Sequence, residues 1–355
     1  MRSDVDIGAS LSGGLDSSSV ISIASKLLKY SGQENNFAAI HAKSSDPIFD
    51  ESQYAELVCK DLDISLFKVE PTYDLFLKSI KEMVFFQDEP FASSNILMQY
   101  TVMQKAKNLG FKVMLDGQGS DEILLGYSKS FLVSLLANLT NQGFPSALEH
   151  IFMSLRNNAN LNIKSITKYV LGNLSGTARA KYLSSKMKFL NLSIEPTKSL
   201  FKEVSKANLD PIEYQIIDIE KISLPQILRT EDRNSMAHSV EARLPFLDFN
   251  LVEYCLSLEV SEKVKKGWTK YPLRTSDILN TEIAWRKTKL GFDGPEIQWD
   301  KKFAPSMLEK IKKCPLINQI SDMKELSKSW FKLSSKDRWR LFNVCVWREI
   351  HNVDF

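Results

Sequence analysis

Short apolar runs alternate with helical stripes over the first third of the chain. Val5 to Leu11 is brief and mostly apolar, as a strand covered on both faces of a sheet must be. Ser17 to Tyr30 follows, with Val20, Ile23, Ala24, Leu27 and Leu28 at the spacing of one helical face. Phe37 to Ala42 predicts a second strand and Ile64 to Val69 a third. Between them, Ser52 to Leu62 predicts a helix with Tyr54, Leu57, Val58 and Leu62 on one side. Tyr73 to Phe86 and Ser94 to Asn108 read as two further helices, and Phe111 to Leu115 as a strand ending in Asp116-Gly117. This alternation implies an α/β fold with a doubly wound parallel sheet. Ligands of such sheets bind beyond the carboxyl ends of the strands. Two small polar loops fall there: Leu11-Ser12-Gly13-Gly14 and Leu115-Asp116-Gly117-Gln118-Gly119.

Beyond Tyr127 the pattern changes. Residues 128–224 are helical in character and rich in Asn, Ser and Lys, and helices continue from Asp218 with Gly-Phe and Gly-Pro breaks at 291–295. From Ile151 to Ile194 there is no acidic residue, while Arg156, Lys164, Lys168, Arg179, Lys181, Lys186 and Lys188 are basic. Such a run reads as solvated helix or, alternatively, as contact with an anionic partner. Trp339, Phe342, Val346 and Ile350 recur at helical spacing and predict core packing.

Composition narrows the class. The chain has 355 residues, 43% hydrophobic and 25% charged, enough to bury a sizeable core. A net charge of +3 predicts no general attraction to nucleic acid or anionic membrane. No apolar run is expected to approach a membrane span. Cys59, Cys255, Cys314 and Cys345 lie far apart with no CxxC pair, which fits a reducing, cytoplasmic setting.

The chemistry starts with Ser12-Gly13-Gly14-Leu15-Asp16-Ser17-Ser18, between the first strand and the first helix. Two glycines let backbone approach a polyanion, and a helix N-terminus favours negative charge. Ser12, Ser17 and Ser18 add hydroxyls. A carboxylate beside phosphates needs a cation between, so Asp16 suggests Mg²⁺. The bland alternative is a capped helix start, with Asp16 or Ser17 as the cap. The loop has no GxxxxGK[ST], and Gly117-Gln118-Gly119 is no complete GxGxxG, because Glu122 stands where the third glycine would be.

SGGLDSS resembles the pyrophosphate loop (PP-loop) of ATP pyrophosphatases, the adenine nucleotide alpha hydrolase-like fold. Asp116-Gly117-Gln118-Gly119-Ser120-Asp121-Glu122 with Gly126-Tyr127, the Asp88-Glu89-Pro90 turn, and Glu231 through Asp248 (EDRNSMAHSVEARLPFLD) resemble asparagine synthetase motifs in the same order. The likeness is to the synthetase half of the glutamine-dependent asparagine synthetases, whose relatives include β-lactam synthetases and lasso-peptide cyclases. It covers nearly the whole chain as one unit: 1–127 the nucleotide-binding core, 128–224 a variable helical segment, 225–355 a helical part completing the site.

The resemblance implies a two-step chemistry, in which ATP activates a carboxylate as an acyl-adenylate and an amine displaces AMP. It also implies roles for single residues. Asp16 and Asp121 match the carboxylates that hold Mg²⁺ on pyrophosphate. Leu11, Ile40 and Gly117 match backbone and apolar contacts to adenosine, and Asp116 belongs to the same nucleotide loop. Lys270, in Lys-Gly-Trp-Thr-Lys-Tyr-Pro-Leu-Arg, matches a lysine that contacts the α-phosphate. Lys263 to Lys302 carries ten Lys/Arg against five Asp/Glu, a basic rim in which Arg274, Arg286 and Lys289 are weaker phosphate candidates. Glu241 and Arg243 are expected to form a structural pair, Asp232 and Arg233 to orient the acceptor or the loop above it, and His238 to be packed rather than basic.

Two departures qualify the implied activity. Well-known bacterial members have Glu where this chain has Gln118, and an amide cannot serve as a general base. The glutaminase half, with its cysteine at position 2, is expected to be missing; position 2 is Arg. The expected activity is therefore amide formation on the aspartate side chain with free ammonia, or with ammonia from a separate glutaminase subunit. Alternatives are amidation or cyclisation of another carboxylate, such as a cell-surface sugar acid or peptide, or a non-catalytic nucleotide-binding remnant. The expected partners are small molecules, and a homodimer is compatible with the resemblance.

Overall fold

The structure is a computed structural model that describes residues 3–32, 37–159, 161–167, 176–191, 193, 195–288 and 296–353. Five parallel strands form the sheet: β1 (Ile7–Ser10), β2 (Ala38–Ala42), β3 (Ser65–Val69), β4 (Val113–Leu115) and β5 (Glu241–Arg243). Their order is β3-β2-β1-β4-β5. Four helices follow the strands: α1 (Leu15–Ser31), α2 (Ser52–Leu62), α3 (Tyr73–Gln87) and α4 (Ile96–Asn108). The short α5 (Ser120–Ile123) follows β4, and α6 (Phe131–Gln142) and α7 (Phe144–Asn157) form a helical hairpin beyond it.

Side-chain alternation along the strands sorts the two faces. Ala39, Val113 and Leu115 pack with Val20, Ile21 and Ala24 of α1 and Val58 of α2. Ala38, Ile40 and Met114 point the other way, onto Met98, Val102 and Met103 of α4. The sheet is thus covered on both sides, which makes the fold a doubly wound α/β of the PP-loop type. β1, β2 and β4 are buried at every residue, while β3 at the edge is partly exposed.

A second core lies at the chain's end. Trp339, Phe342 and Val346 of the helix Ser335–His351 pack against Phe76 and Met83 of α3 and Trp299 and Met307 of the helix Glu296–Lys312, with Ile350 at the margin. The Arg338 guanidinium grips both oxygens of Asp300 between those last two helices. The stripe is core packing, as its spacing predicts. His238 is also packed as expected: it is 4% exposed and stands edge-on to Tyr100, and burial lowers its pKa.

Three features differ from the sequence reading. β5 is unmarked in the sequence, because three residues with charged ends carry no strand pattern. It exists through pairing with β4, Val113 facing Glu241. Second, Ser120–Gln142 is long and apolar enough to cross a membrane, contrary to expectation. Half of its apolar window is buried in the protein, and the helical run is interrupted between α5 and α6. Third, Arg179 of the acid-free segment lies over the Phe201 ring at 4.5 Å rather than fully in solvent. Lys168, Lys289 and the breaks at 291–295 lie outside the described residues.

Candidate active site

Two loops meet where the strand order reverses, beyond the carboxyl ends of β1 and β4. The first carries Ser12 to Ser17 into α1. Gly13 sits at φ +81°, and a Cβ there would come 2.8 Å from Tyr54 Cβ and 2.9 Å from the Ala55 nitrogen. Only glycine fits such a turn. The loop hydroxyls brace its backbone: the Gly14 N–H donates to Ser12 Oγ at 3.1 Å, and the Ser12 N–H donates to Ser17 Oγ at 3.2 Å. Asp16 lies in the first turn of α1, where Ser120 Oγ donates to its Oδ1 at 2.9 Å. The second loop presses on the first. A Cβ on Gly117 would lie 2.7 Å from the Ser17 nitrogen.

Lys270 joins them. Its Nζ donates to Asp16 Oδ2 at 2.5 Å and stands 2.8 Å from Asp121 Oδ1. The residue is 3% exposed. Its backbone is left-handed, φ 54° and ψ 37°, a conformation that costs a lysine about 1–3 kcal/mol. The surroundings hold it there: a Cβ on Gly126 would overlap both Lys270 Cε and Asp121 Oδ1, so the ion pair needs a glycine opposite.

A cavity of about 600 Å³ opens over this centre. Of the expected site residues, Ser12, Gly14, Asp16 and Ser17 line it from the first loop, and Asp116, Gly117, Gln118 and Asp121 from the second. Lys270 and Arg274 line it from the far part of the chain. Leu11 and Ile40 do not line it. Their side chains are wholly buried, and the Leu11 N–H donates to the Ile40 carbonyl at 2.9 Å. Ser18 is also buried, with its hydroxyl unpartnered among the described residues.

The cations have distinct tasks. Arg274 donates to the carbonyls of Thr269 at 2.8 Å and Ala284 at 2.6 Å, bracing the segment that carries Lys270. Burial lowers its pKa to about 10 and Asp16 pulls it back up. Arg286 pairs with buried Glu51, donates to the Gly13 carbonyl at 3.3 Å and stacks 3.8 Å over Tyr54. It therefore ties the glycine loop to α2. Arg233 pairs with Asp88 at 2.8 Å, and Arg243 with Glu241 at 2.7 Å, the structural pair expected. Both pairs are exposed and contribute little to stability.

The donor set suits a hard divalent cation. Asp16 and Asp121 already share one positive group, and Mg²⁺ is ordinarily held by one or two carboxylates plus substrate phosphates. No cluster of three or more His, Cys, Asp or Glu is placed to hold a metal by itself among the described residues.

A second pair of acids, Asp116 and Glu231, comes from two separate motifs, and nothing in the sequence announces that they meet. Burial, opposed by the Gly117 N–H and reinforced by Asp16, raises the Asp116 carboxyl to about 6. Glu231 of the helix Leu224–Met236 is 1% exposed and also lines the cavity. Burial, and then Asp116, hold its carboxyl well above the usual range. Glu51, Gly126 and Glu231 are all plain in the sequence as letters. Arg286 for Glu51, Lys270 for Gly126 and Gln99 for Glu231 all lie far away along the chain, so no local pattern shows these contacts.

The sequence matches the family described as Asparagine synthase over residues 1–348. It is 28% identical over 314 residues to asparagine synthetase [glutamine-hydrolyzing] 1 of Bacillus subtilis (strain 168), covering 85% of this chain and 48% of that protein. It is 25% identical over 314 residues to a putative asparagine synthetase [glutamine-hydrolyzing] of Mycobacterium tuberculosis (strain ATCC 25618 / H37Rv), covering 84% and 46%. Amidase chyE of Penicillium rubens (strain ATCC 28089 / DSM 1075 / NRRL 1951 / Wisconsin 54-1255) is 24% identical over 343 residues, covering 84% and 51%. The chain thus spans about half the length of these relatives. Motifs, fold and a match over nearly every residue agree, and this chain belongs to the asparagine synthase family.

Proposed function

We propose that this chain is an ATP-dependent ligase that activates a carboxylate as its acyl-adenylate, releases pyrophosphate, and transfers ammonia to the acyl carbon. Aspartate, giving asparagine, is the first candidate acceptor. The observation that carries the reading is Lys270 buried between Asp16 and Asp121, over the glycine loop. In the first step a carboxylate oxygen attacks the α-phosphorus, and the bond to the bridging oxygen breaks toward pyrophosphate. Backbone N–H groups at the start of α1 favour the polyanion. Mg²⁺ bound at Asp16 and Asp121 would supply charge neutralisation on the leaving group. Lys270, on its flexible stem, is placed to exchange a carboxylate for a phosphate oxygen and stabilise charge that develops in the transition state. In the second step the ammonia nitrogen bonds the acyl carbon, AMP leaves with the C–O electron pair, and the nitrogen gives up one proton to solvent.

Gln118 favours a second reading, amidation of another carboxylate. It lines the cavity with a side chain that does not titrate. A cytoplasmic setting fits the four buried, unpaired cysteines.

The test is pyrophosphate release from Mg-ATP with aspartate and ammonium chloride, then with a panel of other carboxylates. Release is expected, with a loss of about 100-fold or more in Lys270→Ala. Silence of the wild-type chain with every carboxylate defeats the ligase reading. A strict preference for free aspartate removes the second one.

A further inference from the structure

Glu231 is held in a manner that the chemistry above does not use. Gln87 Nε2 donates to Asn234 Oδ1 at 3.0 Å. Asn234 Nδ2 donates to Gln99 Oε1 at 2.8 Å. With its oxygen occupied, Gln99 turns its amide nitrogen to Glu231 Oε2 and donates to it. Gln87, Asn234 and Glu231 are each 1% exposed. Three oriented amides thus fix one carboxyl oxygen from behind. The other, Oε1, is buried and finds no partner among the described residues. An unpaired acceptor of this kind is costly unless a ligand completes it.

Its surroundings select the ligand. Glu231 lines the cavity beside Gln99, Thr230 and Ile227, with Asp116 near enough to raise its pKa further. The described cations that line the cavity, Lys270, Arg274, Arg286 and Lys287, all belong to the 267–288 stretch. Lys270, Arg274 and Arg286 are engaged there by Asp16, backbone carbonyls and Glu51. A positively charged N–H donor would complete Oε1 and favour the ionised carboxylate that burial and Asp116 otherwise disfavour.

We propose that Glu231, aligned by the Gln87–Asn234–Gln99 relay, is a subsite for a primary ammonium group. This builds on the ligase reading and narrows its substrate class. The ammonium has two sources in such a reaction: the nitrogen donor itself, or the α-ammonium of an amino-acid acceptor.

Glu231→Gln separates them. Acting in steady-state pyrophosphate release, it raises the KM for ammonium by about 10- to 100-fold relative to the KM for ATP if the donor binds here. In ATP–pyrophosphate exchange without ammonium, it penalises L-aspartate by the same factor relative to succinate if the α-ammonium binds here. KM ratios within about twofold of wild type in both assays overturn the subsite. A third measurement needs no turnover. Methylammonium chloride, against sodium chloride at equal ionic strength, is expected to raise the thermal midpoint of the wild type and not of Glu231→Gln. Equal shifts in both, or none in either, also overturn it, even if the wild type proves catalytically silent. The isosteric variant is expected to fold, since it removes an acid whose charge burial disfavours. If it does not, Gln99→Met, which releases the held oxygen, is expected to show the same losses, and wild-type values in it count against the proposal.

Discussion

Lys270 shows how much of this site is decided by single residues. Its ammonium is useful only because its backbone takes a left-handed turn and because residue 126 has no side chain. Gly126→Ala would displace the Lys270 and Asp121 side chains from each other, breaking the ion pair. A loss of about 100-fold or more in pyrophosphate release is expected, with about 1–3 kcal/mol of stability. Wild-type turnover in that variant, measured beside a urea midpoint, would detach the ion pair from the chemistry. At this scale the sequence is legible where residue type is dictated by chemistry. The SGGLDSS and DGQGSDE runs sit against each other as expected, and Asp16 meets Asp121 through Lys270. It is illegible where a role depends on a distant neighbour. Arg286 finds Glu51 and Glu231 finds Gln99 across more than a hundred residues. Leu11 and Ile40, which the resemblance marks as backbone and apolar contacts to adenosine, keep their side chains in the core.

At the scale of elements, legibility follows burial. β1, β2 and β4 lie where the apolar runs place them, to within two residues, because strands covered on both faces are apolar throughout. β5 has one small apolar residue between two charges and is defined by its neighbour alone. The α6–α7 hairpin offers a separate test, because it buries a histidine. His150 is 7% exposed, places Nε2 3.0 Å from Ser134 Oγ and stacks on Phe131 at 5.4 Å. Burial lowers its pKa to about 4. The unfolded chain, with an ordinary value near 6.5, therefore binds the extra proton first as pH falls. Stability contributed at neutral pH is present above about 6.5 and is lost progressively toward pH 4, on the order of 3 kcal/mol in all. His150→Gln should narrow the difference between urea-derived stabilities at about pH 7 and pH 4.5. An unchanged difference would show that this imidazole is protonated without cost.

The whole molecule ties its two cores together at the cavity. Phe91 lines that cavity, yet its backbone is held from the other end of the chain. The Phe91 N–H donates to Asn343 Oδ1 at 2.9 Å, and Trp339 Nε1 donates to the Phe91 carbonyl at 3.1 Å. Both partners belong to the helix Ser335–His351, whose apolar face packs on α3 and on Trp299. The stripe that reads in sequence as plain core packing thus also sets one wall of the site. No periodicity could reveal this, because Asn343 is a polar residue at 0% exposure whose purpose is a backbone amide 252 positions away. Asn343→Ala leaves that amide buried and unpaired, a cost of about 1–3 kcal/mol. Phe91 does not touch the Lys270 centre through any hydrogen bond of its own; it lies on the loop before α4, the element that also carries Gln99 to Glu231. A slackened Phe91 should therefore weaken the carboxylate or amine substrate before it weakens ATP. The expected result in Asn343→Ala is a lower urea midpoint and a severalfold rise in the acceptor KM, with a smaller rise in the KM for ATP. If both constants rise together, the C-terminal helix supports the fold at large. If neither moves while the midpoint falls, the Phe91 wall holds its place without it.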